Sequence, residues 1–149
     1  MPHVEVELTI AAPPKAIWAT VIDVESYPES MADVRSVEIV AETGPGTRTA
    51  AWSVHLKGSV LEWTEEERLD HDAMRVNFQQ VSGDLAEFSG YWNVRSADDG
   101  RSSIVTLNVD FDIGIPLLAD MLNPVAAAAL RENSEQMLAA FEQRLIAAH

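Results

Sequence analysis

The stretch from Asn123 to Ala148, NPVAAAALRENSEQMLAAFEQRLIAA, decides the fold. Within it Leu130, Ser134, Met137, Leu138, Phe141 and Leu145 recur at helical spacing, which predicts one long amphipathic helix. Asn123 suits the N-cap and Pro124 the first helical position, where the missing N–H costs nothing, so the sequence places a sharp start here. On a helical wheel the apolar arc runs from Ala126 and Met137 through Leu130, Phe141 and Ser134 to Leu145 and Leu138. Glu132, Glu135, Gln136 and Gln143 point the other way. A helix of about 25 residues is about 38 Å long. Its apolar face is too long for a short helix to cover and is well matched to a curved sheet.

The rest of the chain reads as that sheet. Val4, Val6, Leu8 and Ile10 alternate with Glu5, Glu7 and Thr9, the pattern of a strand with one buried face. Pro14 opens a short helix carrying Ile17, Trp18, Val21 and Ile22, and a second short helix follows Ser26-Tyr27-Pro28 and ends near Asp33. From Val34 onward the period changes to two. Val37 and Ile39 precede a turn at Thr43 to Gly46; Trp52, Val54 and Leu56 share one parity; and Lys57-Gly58 punctuates the next hairpin. Leu61, Trp63, Glu65, Glu67 and Leu69 then share one face, with Glu62, Thr64, Glu66 and Arg68 on the other. Met74, Val76, Phe78 and Gln80 form the next inward set, followed by Phe88, Gly90, Trp92 and Val94. Val105, Leu107, Val109, Phe111 and Ile113 form the last, and Gly114 to Asn123 connects it to the helix. The expected fold is therefore α+β: a strongly curved antiparallel sheet of six to seven strands wrapped round a long C-terminal helix, with two short helices after the first strand. Residues 1–149 read as one domain. A helix and a concave sheet cannot touch everywhere, and the hollow left between them is the candidate site.

Composition narrows the chemistry. Ten basic against twenty-four acidic residues give a formal charge of −14, which repels nucleic acid and anionic lipid surfaces. The absence of cysteine removes disulfides, thiol catalysis and cysteine metal sites. His3, His55, His71 and His149 are scattered, and no metal triad and no cofactor-binding motif is visible. The N-terminal residues lack the pattern of a signal peptide and no apolar run reaches membrane-spanning length, so the expected setting is the cytoplasm.

Inside the expected hollow, Glu65 and Glu67 stand on an otherwise apolar strand face beside Trp63. One reading makes them a carboxyl pair whose desolvation and mutual repulsion raise at least one pKa, suited to taking a proton from an activated methylene or giving one to a leaving hydroxyl. The other reading lets the strand end carry both into solvent. Trp52, Trp63, Phe78, Phe88, Trp92 and Met137 would line the hollow, and Gln80 and Ser134 would orient a ligand carbonyl. For a lone helical serine, a bond to backbone or water is the plainer reading.

Four local features, in order and spacing, resemble the polyketide cyclase/dehydrase family of the START-like helix-grip fold. They are Ile10-Ala11-Ala12-Pro13 leading into Ile17-Trp18; Asp23 to Pro28 followed by Val37-Glu38-Ile39; Gly83 with Gly90-Tyr91-Trp92; and Arg131 to Met137. The last, together with Gly58 to Trp63, looks most like the aromatase/cyclases that fold nascent aromatic polyketides. The resemblance implies a hydrophobic, often polycyclic ligand in the hollow and, in some members, ring closure and dehydration there. It also implies a catalytic arginine four residues after the strand tryptophan. Counted from Trp63 that position holds Glu67, and Arg68 comes one residue later, on the opposite face unless a bulge intervenes. A tyrosine of those enzymes aligns near Val34. Glu67, at the family's catalytic position, is the first candidate and Glu65 the second.

Two functions follow. In one, an aromatase/cyclase-like enzyme holds a polyketide, free or bound to an acyl carrier, and directs its closure. In the other, a carrier or sensor retains a lipid, quinone or finished polyketide unchanged, as a monomer or a dimer. A role on ribosomes fits poorly with the charge of −14.

Overall fold

The computed structural model describes residues 3–31, 33–56, 59–97, 101–112 and 119–147, with the backbone alone for residues 56, 59, 119–126, 146 and 147. Strand β1 (His3–Ile10) buries Val4, Val6 and Ile10, as its alternation requires. Helix α1 (Pro14–Ile22) has Pro in its first turn and buries Ile17, Trp18 and Val21. A 3-10 turn (Val24–Ser26) leads into the one-turn helix α2 (Tyr27–Ser30). Six strands follow: β2 (Val34–Gly44), β3 (Thr47–Leu56), β4 (Ser59–Asp70), β5 (Arg75–Gly83), β6 (Glu87–Ser96) and β7 (Ser103–Asp112). Helix α3 (Ala119–Ala147) ends the described chain. Ile113 and residues 114–118 of the expected connection to α3 lie outside the described residues, as do Lys57, Gly58 and His149.

The seven strands form one antiparallel sheet in the order β1-β7-β6-β5-β4-β3-β2. The chain thus crosses from one edge to the other through α1 and α2, then returns strand by strand until β7 pairs with β1. Register shifts interrupt β2 at three places, and one between β4 and β5 leaves Val81 as an extra residue facing solvent. Such bulges increase the local twist and bend a sheet. Gly83 closes β5 with φ +154°, and a Cβ there would lie 2.4 Å from the Cβ of Trp63, so only glycine allows this approach.

Helix α3 packs against β1, β3, β7 and α1, and its buried residues are those of the predicted arc: Leu130, Ser134, Met137, Leu138, Phe141 and Leu145, joined by Ala129 and Asn133. Phe141, fully buried, meets Tyr27 edge-on at 5.4 Å and Trp92 at 5.5 Å between ring centroids. Arg131 donates to the Glu5 carbonyl at 2.9 Å and Arg144 to the Ser26 hydroxyl at 3.0 Å, fixing the helix to β1 and to the 3-10 turn.

The start of α3 differs from expectation. Asn123 is not its cap and Pro124 is not its first residue, because the helix already runs from Ala119. Proline at the sixth position forfeits the bond its N–H would have made to the carbonyl of Asp120 and crowds that carbonyl with its ring, a cost borne within the first two turns of the helix.

Candidate functional site

Between sheet and helix lies a hollow lined by Trp52, Val54, Leu61, Trp63, Glu65, Phe78, Phe88, Trp92, Leu107, Val109, Leu130, Asn133, Ser134 and Met137. Its free space is narrow, about 50 Å³ as traced by the centre of a water molecule, so the aromatic walls must part to admit a ring system. The walls are ring against ring. Trp52 and Trp63 stack with planes 2° apart and centroids 5.8 Å apart, Trp63 meets Phe88 at 4.9 Å, and Phe78 meets Phe88 at 5.6 Å.

Of the residues expected here, Trp52, Trp63, Phe78, Phe88, Trp92, Ser134 and Met137 stand on the lining, and so does Glu65. Gln80 does not. Its Nε2 donates to the Leu85 carbonyl at 2.7 Å, where the carboxamide serves the turn after β5. Glu67 is also absent from the lining, although it is buried.

The two carboxyls of β4 differ because their neighbours differ. Both are inward, at 4% and 1% exposure, which overturns the reading that the strand end carries them into solvent. Glu67 lies opposite Arg48 in the β3–β4 ladder, and the Arg48 Nε donates to Glu67 Oε1 at 2.7 Å. Trp52 Nε1 donates to the other oxygen at 3.3 Å. The guanidinium also donates through Nη2 to the Ile22 carbonyl at 2.8 Å, at the C-terminal end of α1, where helix carbonyls lack partners and favour a cation. Glu67 is therefore one half of a buried ion pair, which corrects the expectation that it projects into the hollow as a member of a carboxyl pair.

Glu65 has no cation of its own. Burial holds its pKa well above the usual carboxylate range, a hydrogen bond and repulsion from Glu67 push the same way, and the 2.7 Å bond from Trp63 Nε1 opposes them only in part. The protonated form is the one that can donate to the Glu67 carboxylate. Tyr27, fully buried and donating to the Val21 carbonyl, also has a raised pKa, first through burial and then through Glu67.

Arg48 is the participant that sequence reasoning missed. In the β3–β4 register paired residue numbers sum to 115, and 48 + 67 meets that condition, as does the Trp52–Trp63 stack. Arg68 stays on the outer face, 74% exposed and bonded to Glu66 at 3.0 Å. The bulge opposite Thr64 and Glu65 adds its residue to β5, leaving the alternation of β4 intact.

Comparison with known proteins follows the same line. Residues 10–138 match the family described as polyketide cyclase / dehydrase and lipid transport. The granaticin polyketide synthase bifunctional cyclase/dehydratase of Streptomyces violaceoruber is 32% identical over 100 residues, which cover 66% of this chain but only 31% of that protein. The chain thus spans about a third of that relative. A putative polyketide cyclase of Streptomyces cyaneus is 26% identical over 145 residues, covering 91% of this chain and 95% of the relative. In fold, the chain is similar to the Zhui aromatase/cyclase of Streptomyces sp. R1128, with a TM-score of 0.81 at 24% identity over 95% of this chain and 92% of that one. With its matched segment reaching from the end of β1 into α3, the chain belongs to the polyketide cyclase/dehydrase and lipid transport family.

Proposed function

We propose that the protein is a polyketide cyclase/dehydratase that holds a hydrophobic polyketide, free or on an acyl carrier, in the aromatic hollow and directs its closure and dehydration. The observation that carries this reading is Glu65: a buried carboxyl, its pKa raised by burial, standing on the wall of a cavity otherwise lined almost wholly by apolar side chains. The walls hold the chain so that the enol form of one β-dicarbonyl unit approaches a carbonyl carbon; as the carbon–carbon bond forms the enol proton passes to the attacked carbonyl oxygen, which becomes the hydroxyl, and orientation supplies much of the rate. After the carbon–carbon bond forms, Glu65 gives its proton to the departing hydroxyl. The proton released from the neighbouring carbon returns to Glu65, so the acid is restored and one water leaves. Glu67, paired with Arg48, accepts from the Glu65 carboxyl and holds its orientation. The proposed setting is the cytoplasm, a reducing compartment compatible with a chain lacking cysteine.

The test is to combine the protein with a polyketide synthase that makes the unreduced chain and to analyse the products. A changed product profile is expected, and Glu65→Gln should lower the yield of dehydrated product by about 100-fold or more with little change in affinity, the scale of a lost general acid. A carrier or sensor of a lipid, quinone or finished polyketide is the second reading. It is favoured by the engagement of Arg48 with Glu67 and the Ile22 carbonyl, which leaves the cation committed within the protein. Unchanged products together with tight retention of an apolar ligand would establish the carrier instead.

A further inference from the structure

Helix α3 contributes a polar group to the hollow that the protein does not satisfy. Asn133 is 8% exposed, and its Nδ2 has no hydrogen-bond partner. Leaving a buried donor unpaired forfeits its hydration without replacement, and such groups are rare enough that each calls for a reason. Asn133 also stands on the walls of two cavities at once. One is the aromatic hollow. The other, about 110 Å³, lies between α3 and the connection from α2 to β2, where Ser30, Met31, Asp33, Val34, Gln136 and Met137 complete its wall. Met137, one helical turn beyond Asn133, is the other residue common to both. The second cavity grades from exposed polar side chains, Ser30 and Gln136, to buried apolar ones, Met31, Val34 and Met137.

We propose that this smaller cavity is the mouth of the hollow, and that Asn133 forms its neck by donating Nδ2 to a carbonyl oxygen of the bound ligand. The occupant is a neutral ketone or thioester and not a carboxylate, because Asp33 shares the rim and, among the described residues, no basic side chain lines either cavity. Met137 beside it has an unbranched, adaptable side chain that can turn aside as the ligand passes. The proposal rests on the hollow being a ligand site, as argued above, and adds which protein atom recognises which ligand atom and where the ligand passes.

A matched pair of small probes tests it: 1-tetralone carries a ketone on the bicyclic skeleton of tetralin, which has none. Binding is followed through the indole N–H signals of Trp52, Trp63 and Trp92 in NMR titrations. The wild type should prefer 1-tetralone by about 10-fold, the scale of one hydrogen bond to a previously unpaired donor. Asn133→Leu and Asn133→Ala should remove that preference while still binding tetralin. The infrared carbonyl stretch of bound 1-tetralone should lie lower in the wild type than in either variant, a signature that a purely structural asparagine would not produce. Ser30→Trp, an exposed change at the rim, should slow both association and release several-fold. Retention of the ketone preference in both Asn133 variants would overturn the carbonyl contact, and unaltered rates in Ser30→Trp would overturn the mouth. Failure of both probes to move any indole signal of the wild type would overturn the ligand site itself, and this inference with it.

Discussion

The two walls of the hollow treat polar groups differently. On the sheet wall the charges are answered from within: Arg48 and Trp52 hold Glu67, while Trp63 and Glu67 hold Glu65. On the helix wall the Asn133 Nδ2 is left open. A buried charge without a partner would cost far more than a buried amide, so charge must be compensated by the protein itself, whereas a neutral donor can wait for its ligand. On the function proposed above, the sheet wall would be the place for proton transfer by a prearranged group, and the helix wall the place for recognition.

The comparison needs both walls held together, and Phe141 joins them through Tyr27 and Trp92. Phe141→Ala should destabilise the protein by about 3–5 kcal/mol, the range for emptying a fully buried phenylalanine site. A urea-unfolding loss below about 0.5 kcal/mol would mean that α3 is not seated on the sheet through this ring. The sheet wall's internal compensation is tested next. Arg48→Met should cost about 3 kcal/mol, because Glu67 then stays buried without its cation, while the double change Arg48→Met with Glu67→Leu should recover most of the loss. Equal losses in the single and double variants would dissolve the contrast between the walls.

Glu65 gives a smaller effect with a definite sign. Its folded-state pKa is raised, so from about 4.5, the usual glutamate value, up to the raised value the unfolded chain releases a proton that the folded chain keeps. Stability therefore falls as pH rises through that window. Its contribution is fully retained below about 4.5 and lost above the raised value. Within the window one bound proton is worth about 1.4 kcal/mol per pH step of one, and Glu65→Gln should flatten the dependence by that slope there, read from a series of urea midpoints taken upward from about pH 4.5. A wild type whose slope matches the variant's would place Glu65 among ordinary carboxylates. The smallest effect belongs to the outer face. Arg68→Ala should change stability by less than about 0.5 kcal/mol and leave the product profile intact, since the exposed pair with Glu66 is screened by water. A marked change in products would return Arg68 to the site.

Much of this was legible in the chain. The apolar arc of α3, the alternation of β4 that turns both Glu65 and Glu67 inward, and the order of elements all arise from local periodicity, which a single segment carries by itself. The aromatic lining follows from the same parities, and the family resemblance follows from motifs in the same order. Where the reading stopped, the deciding partner lay elsewhere in the chain. The start of α3 at Ala119 went against the local signal of Asn123-Pro124, because helix ends answer to their surroundings as well as to caps. Glu65 and Glu67 look alike in sequence, two residues apart on one face. Only the pairing of β3 with β4 gives Glu67 a cation and leaves Glu65 to the hollow, since the cost of a buried charge is set by what stands within a few ångströms in space. Gln80 turned to Leu85, and Asn133 came to border two cavities, for the same reason. Periodicity determines which way a side chain points, and tertiary packing alone determines what it meets there.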